Sequence, residues 1–335
     1  MNTKLLLPFL LIMGVILGAC GNNASDNGAS PSSSSGSSPS ASASEPSASP
    51  SASASSSASA SASSSASGTI TYESELGPVE VPAHPQRIVA LGYAPNVLSL
   101  GGTLVGVDEW TNKSPHFSEK LKGVEVVSED NLEKIIGLDP DLIVVDASSK
   151  NLDKLKEIAP TVTFTWGKLN YLDQQIEIGK LLNKEQEAKA WADDFTKRAK
   201  AIGDEIKAKH GANVTVSVFE TDSKNFYVFG DAWARGTEIL YQAMGLGMPE
   251  KVKTDALGPG YYTLSPEVLG DYAGDYIVLS RSSQGDNSFM QTETWKKIPA
   301  VKNNHVIEID TEASSYSDPT TLEYLLNIFK EGFLQ

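Results

Sequence analysis

Two series of short apolar runs, set on either side of one long amphipathic stretch, restrict this chain more than any other feature. Ile88 to Leu91, Val105 to Val107, Leu142 to Val145 and Val162 to Phe164 read as short buried strands. Helical patterns over Ala94 to Leu100, Asn131 to Ile136 and Leu152 to Ile158 lie between them. The second half repeats the scheme. Its strands are Val214 to Phe219, Phe226 to Val228, Tyr276 to Leu279 and Val306 to Ile309; its helices are Thr237 to Met244, Ser265 to Leu269 and Pro319 to Phe333. Strands apolar on both faces that alternate with helices build parallel-type sheets, because the crossover helices cover both sides. From about Tyr171 to Lys209 the pattern is helical. Asn183 is placed as an N-cap, with Gln186 completing a capping box. After it, Trp191, Phe195, Ala199, Ile202 and Ile206 share one face. A helix from Lys184 to Lys209 is about 39 Å long at 1.5 Å per residue, enough to join two lobes. The expected fold class is α/β: two Rossmann-like lobes, 69–168 and 211–335, joined by linking helices over 169–210.

Gly21 to Gly68 can join neither core. It is Ser, Ala, Pro, Gly and Asn throughout, apart from the charges Asp26 and Glu45. Without aromatic or branched apolar residues it cannot offset the entropy of ordering, so 20–68 reads as a disordered tether. Its random-coil span is on the order of 40 Å, which keeps a globular body near a membrane partner at high effective concentration.

The tether explains itself through what precedes it. Lys4 supplies a positive n-region, and Leu5 to Leu17 is an apolar run too short for a span of about 20 residues. Leu17-Gly18-Ala19-Cys20 follows, and it resembles the bacterial lipobox. Residues 1–19 are therefore expected to be a lipoprotein signal peptide. Cys20 is the expected lipidation site, carrying a palmitate-like anchor on the extracytoplasmic face of a Gram-positive-like membrane. It is the single cysteine of the chain, so no internal disulfide can form. Net charge is −15, and no Lys/Arg cluster stands out, which argues against nucleic-acid binding.

The body resembles the helix-linked, class III substrate-binding proteins of ABC importers, a group that takes ferric siderophores and vitamin B12. The likeness rests on Pro85-Gln86-Arg87-Ile88-Val89, Leu104 to Asp108, Leu138-Asp139-Pro140-Asp141-Leu142-Ile143-Val144 and Ile158-Ala159-Pro160-Thr161-Val162, in this order. Tyr227 to Gly236, Glu238 to Leu246, Asp271 to Ile277 and Ser317-Asp318-Pro319 resemble one branch, the ferric-hydroxamate receptor lipoproteins of Gram-positive bacteria. That resemblance implies ligand-binding roles for Tyr227, Trp233 and Arg235. Two departures stand out: Ala234 replaces the usual Gly, and Ser315 stands where relatives place a Trp before Tyr316. The resemblance also implies that Glu133 and Glu267, one per lobe, dock on arginines of the permease, which works with its ATPase.

A hydroxamate siderophore wraps Fe(III) in six oxygens and is close to neutral, so aromatic walls and a few oriented donors suit it. Arg235 offers a planar fork, and Trp233 and Tyr227 offer flat walls. On a strand-like stretch, Trp233 and Arg235 would face the same side. Tyr316 and Trp166 fall at strand ends or the loops after them, where open α/β sheets bind ligands; Tyr93 and Trp110 are further N-lobe candidates. One arginine, with Lys168 as a second cation, is too little for a tris-catecholate of about three negative charges, so a hydroxamate is favoured. A catecholate complex, heme or cobalamin in the same fold is the alternative. A cell-surface enzyme is less favoured: G-x-S-x-G and H-E-x-x-H are absent, and His84, His116, His210 and His305 lack ligand spacing. No cofactor and no protein metal site is expected, since the siderophore itself holds the iron. A monomer is expected.

Overall fold

The computed structural model describes residues 68–222, 225–282 and 285–335, and in it each half forms a five-stranded sheet. The signal peptide, Cys20 and the tether as far as Ser67 lie outside the described residues.

A hairpin opens the body. β1 (Thr69–Ser74) pairs antiparallel with β2 (Gly77–Pro82), in register from Thr69↔Pro82 to Ser74↔Gly77. Both strands are half exposed, so no apolar run marks them in the sequence; Tyr72 and Val81 are buried in the core, and Ile70 and Val79 pack against it. There follow β3 (Ile88–Ala90), α1 (Ala94–Ser99), β4 (Leu104–Val107), α2 (Glu109–Lys113), β5 (Glu125–Val126), α3 (Leu132–Gly137), β6 (Leu142–Asp146), α4 (Leu152–Ile158) and β7 (Thr161–Phe164). Their sheet is parallel throughout, in the order β5-β4-β3-β6-β7. Side-chain alternation splits its core. Ile88, Ala90, Leu142 and Val144 pack with Val97 and Leu98 of α1, whereas Val89, Ile143 and Val145 pack with Ile135 of α3 and Leu155 of α4. The strand order reverses beside β3, so the loops after β3 and β6 diverge and leave a crevice.

Two linking helices follow, α5 (Tyr171–Leu181) and α6 (Glu185–His210). Asn183 does not cap α6, whose N-cap is Lys184 without a side-chain bond. It closes α5 instead. Asn183 sits at φ 57°, its N–H reaches the Lys180 carbonyl at 3.1 Å, and the Lys184 N–H reaches Gly179 at 2.6 Å. This is a Schellman closure, and Asn fits it because its short polar side chain tolerates the left-handed region. The 26 residues of α6 span about 39 Å. Ala188, near its start, belongs to the core of the first lobe; Phe195, Ala199, Ile202 and Ile206 belong to that of the second. At Gly203 the helix comes so close to the chain end of a π-helical turn, Glu238–Ala243, that an added Cβ would lie 2.2 Å from the Met244 carbonyl oxygen.

The second lobe holds β8 (Val216–Thr221), β9 (Phe226–Phe229), β10 (Tyr261–Leu264), β11 (Tyr276–Arg281) and β12 (Val306–Asp310), in the order β10-β9-β8-β11-β12. β8, β11 and β12 are parallel, but β9 and β10 run antiparallel to their neighbours. The link from Thr221 to Phe226 is too short for a crossover, and only a hairpin fits it. The C-terminal helix Pro319–Leu334 lies along α6, with Glu323 paired to Arg198 at 2.5 and 2.9 Å and accepting from Trp191 at 3.1 Å.

Candidate functional site

Residues from both lobes line one cavity of about 270 Å³. Gly92 and Tyr93 come from the loop after β3, Trp166 from the loop after β7, and Asn170, Tyr171 and Gln174 from the start of α5. Ala232, Glu238, Gln242, Tyr316 and Ser317 come from the second lobe. Gly92 and Tyr93 fall at the crevice beside β3, and Trp166 and the start of α5 reach it from beyond the edge strand β7. A hollow of about 460 Å³ between α3 and α4, lined by Leu132, Ile136, Lys154 and Ile158 among others, belongs to one lobe alone and contains no aromatic.

Over the cavity the lobes touch through aromatic rings. Trp166, 66 % exposed, meets Trp233 edge-on at 6.4 Å. Its backbone N–H donates to Asp146 at 3.2 Å, which fixes the loop. Trp233 packs on Tyr261 at 5.2 Å, and Tyr261 on Tyr227 at 6.0 Å. Gly260 makes room: at φ 90°, it lies beneath the indole, where a Cβ would approach within 2.4 Å of the ring. The Tyr227 hydroxyl donates to Asp222 at 2.8 Å and accepts from Asn225 at 3.2 Å; the Asp222 bond holds the phenol pKa up.

Two tyrosines serve the crevice from deeper positions. Tyr93 is buried; its ring packs on Phe164 at 5.2 Å, and its hydroxyl lies 3.3 Å from the Phe164 carbonyl and 3.4 Å from Asp146. Tyr316 crosses between lobes to Thr111 at 3.0 Å and Asp108 at 3.4 Å. Burial raises the pKa of both phenols, with Asp146 and Asp108 adding to it, so both remain protonated. Nearby, His116 comes within 2.9 Å of the Ala313 carbonyl and stacks its edge on Tyr324 at 4.6 Å, a second contact between lobes.

Arg235 departs from its expected setting. Ala234, Arg235 and Gly236 have φ of 55°, 54° and 77°, so this segment is a left-handed turn and not a strand. Trp233 and Arg235 therefore do not share a face by alternation. Arg235 does not line the cavity. Its Nε and Nη2 grip Glu220 at 2.7 and 2.9 Å, and its guanidinium lies 5.2 Å above the Phe229 ring. Glu220 also accepts from Ser280 at 2.7 Å, across the point where the second sheet reverses between β8 and β11. The positive φ at Ala234 is one that Gly adopts more readily.

The remaining candidates are scattered. Lys168 pairs with Glu75 at 3.2 Å. Trp110 is 66 % exposed on α2, under Lys113 at 5.5 Å, and does not line the cavity. Glu133, in the first turn of α3, and Glu267, in the 3₁₀ turn Pro266–Val268, are exposed, one on each lobe. The backbone N–H of Glu267 and the Ser265 hydroxyl hold the Glu267 carboxyl low.

Sequence reasoning passed over Tyr171, Gln174, Glu220, Glu238 and Tyr261. Glu238 is buried, and accepts from the Ala234 N–H at 3.0 Å, Ser317 at 2.9 Å and Thr237 at 3.1 Å. Burial raises its pKa. A Glu just past a glycine at a helix start looks like a surface residue, and only the packing of the turn reveals otherwise.

Proteins similar to this chain include receptors named for iron–hydroxamate complexes. The chain is 36% identical over 272 residues to the iron(3+)-hydroxamate-binding protein FhuD of Bacillus subtilis, covering 79% of this chain and 86% of that one. Among solved structures, the FhuD protein from Staphylococcus pseudintermedius matches with a TM-score of 0.72 at 34% identity, over 80% of this chain and 98% of that chain. FhuD2 from Staphylococcus aureus with bound ferrioxamine B matches with a TM-score of 0.70 at 34% identity, over 75% of this chain and 98% of that chain. These folds are the helix-linked, class III type expected from the sequence. The periplasmic binding protein family profile spans residues 88–313, and the chain belongs to that family.

Proposed function

We propose that this chain is a lipid-anchored extracytoplasmic receptor that captures a ferric hydroxamate siderophore between its lobes and delivers it to an ABC importer. The observation that carries this reading is the contact of Trp166 and Trp233 from opposite lobes at 6.4 Å, above a cavity lined largely by neutral polar groups. Flat aromatic walls and hydroxyls suit a nearly neutral complex of apolar chain and metal-bound oxygens. The pairing of Arg235 with Glu220 and of Lys168 with Glu75 disfavours a multiply charged catecholate, which would need unspent cations. Iron is held by its chelator, and among the described residues no group of three or more His, Cys, Asp or Glu could hold a metal ion.

Titration of intrinsic tryptophan fluorescence tests the ligand class. Ferric hydroxamates are expected to quench saturably, and a ferric catecholate, hemin and cobalamin are not. Trp233→Ala is expected to weaken hydroxamate binding by about 1–3 kcal/mol through the lost wall. Unchanged affinity in that variant would move the site elsewhere.

Lipidation at Cys20 supplies the anchor in this reading, and no helix among the described residues is long and apolar enough to cross a membrane. Glu133 and Glu267 dock the two lobes on permease arginines, and the receptor acts as a monomer without nucleic acid. Exchanging both for alanine is expected to leave siderophore affinity in solution near wild type and to impair iron uptake by cells. Normal uptake by the double variant would remove both residues from docking.

A further inference from the structure

Within a largely neutral lining, the cavity carries one carboxylate that a strictly neutral ligand would leave without a counter-charge. Glu238 is its one acidic lining residue, and no Lys, Arg or His lines it. Two more carboxylates stand directly behind the lining, Asp146 against the Tyr93 hydroxyl at 3.4 Å and Asp108 against that of Tyr316 at 3.4 Å. The nearby cations are held elsewhere, Arg235 by Glu220 and Lys168 by Glu75. Size matters as well. At about 270 Å³ the cavity lies below the roughly 300–1,000 Å³ that encloses a drug-sized molecule. It admits one arm of a siderophore, and the bulkier iron centre belongs at the aromatic wall.

We propose that this inner cavity takes a protonated primary amine on an arm of the siderophore, with Glu238 as counter-ion, so that the receptor selects cationic ferric hydroxamates over neutral ones. The inference rests on the cleft being the siderophore site. Glu238 is shaped for it. Its two oxygens are oriented by neutral donors alone, the N–H groups of Ala234 and of Glu238 itself and the hydroxyls of Ser317 and Thr237, with no cation among them. An ammonium would supply the missing counter-charge. Burial now pushes the Glu238 pKa up, as expected of a carboxyl enclosed without a cation. Gln174 lines the same cavity with a buried, unpartnered Nε2, a donor suited to a carbonyl oxygen of the arm and not to its ammonium.

The experiment compares ferrioxamine B, whose chain ends in a primary amine, with its N-acetylated form, which is neutral and otherwise the same. Wild-type protein is expected to bind the amine form at least about tenfold more tightly, and salt should shrink the ratio. In Glu238→Gln the ratio is expected to fall to about one. If that variant fails to fold, Gln242→Lys, an exchange at an exposed lining position, should lower the same ratio by adding a cation. Tight binding of both forms with equal affinity by the wild type would overturn the charge selection and leave the hydroxamate reading standing. A wild-type ratio that survives both Glu238→Gln and Gln242→Lys would overturn the assignment to this cavity. Failure of the wild type to bind either form would defeat the hydroxamate reading itself.

Discussion

Replacing Arg235 with alanine is expected to lower the stability of the unliganded protein by about 2–3 kcal/mol. The side chains of Arg235 and Glu220 are 19% and 13% exposed, and they meet in a bidentate pair. Removing the cation leaves a largely buried carboxylate with Ser280 as its remaining side-chain donor among those contacts. The cost falls below that of a fully buried pair because water still reaches both groups. For a body of this size, Tm should drop by roughly 4–5 °C. Arg235→Ala combined with Glu220→Ala should recover part of the loss, because the orphaned charge is gone. A thermal melt of the three variants checks this, and an unchanged Tm in Arg235→Ala would show the pair to be energetically idle. A ligand role for Arg235 is compatible with the pair. Glu220 engages Nε and Nη2, which leaves the two N–H groups of Nη1 outside that pair.

Gly203→Ala is expected to be as damaging, by a different route. The new methyl would stand 2.2 Å from the Met244 carbonyl oxygen and 2.6 Å from its Cα, so backbone, not a flexible side-chain tip, would have to yield. The gain in helix propensity from Gly to Ala, about 1 kcal/mol, works in the opposite direction. Overpacking of this severity should outweigh it and leave a net loss of about 2–3 kcal/mol. Denaturant unfolding reads the effect, and a stabilised Gly203→Ala protein would mean that α6 stands further from the π-helical turn.

The sheets were legible because buried parallel strands are apolar on both faces: Leu142 to Val145 needs no context to be recognised. β10 had no such mark, since Tyr261, Tyr262 and Thr263 are exposed on an edge. The reversal of β9 was hidden for a related reason: a buried antiparallel strand reads like a buried parallel one, and only the short link before it differs. Asn183 was read as a helix start when it is a helix end, because Asn suits both positions and the choice depends on the sign of φ. At the site, Trp166 and Trp233 were named from sequence and do meet. The partner of Arg235 was not, because Glu220 approaches it through a turn of three left-handed residues that no periodicity encodes.

The sharing of α6 between two cores bears on how the molecule comes apart. Ala188 is packed in one lobe and Phe195 in the other, on one unbroken run of helix hydrogen bonds. Melting either lobe strips part of the helix of its apolar support, and a helix without tertiary packing is marginal in water. The freed turns then undermine the lobe still standing, an effect reinforced where Glu323 ties the C-terminal helix to Arg198. Two domains on a flexible linker would unfold in two steps; here, the linker is itself part of both cores, so the lobes form a single cooperative unit that is lost as a whole.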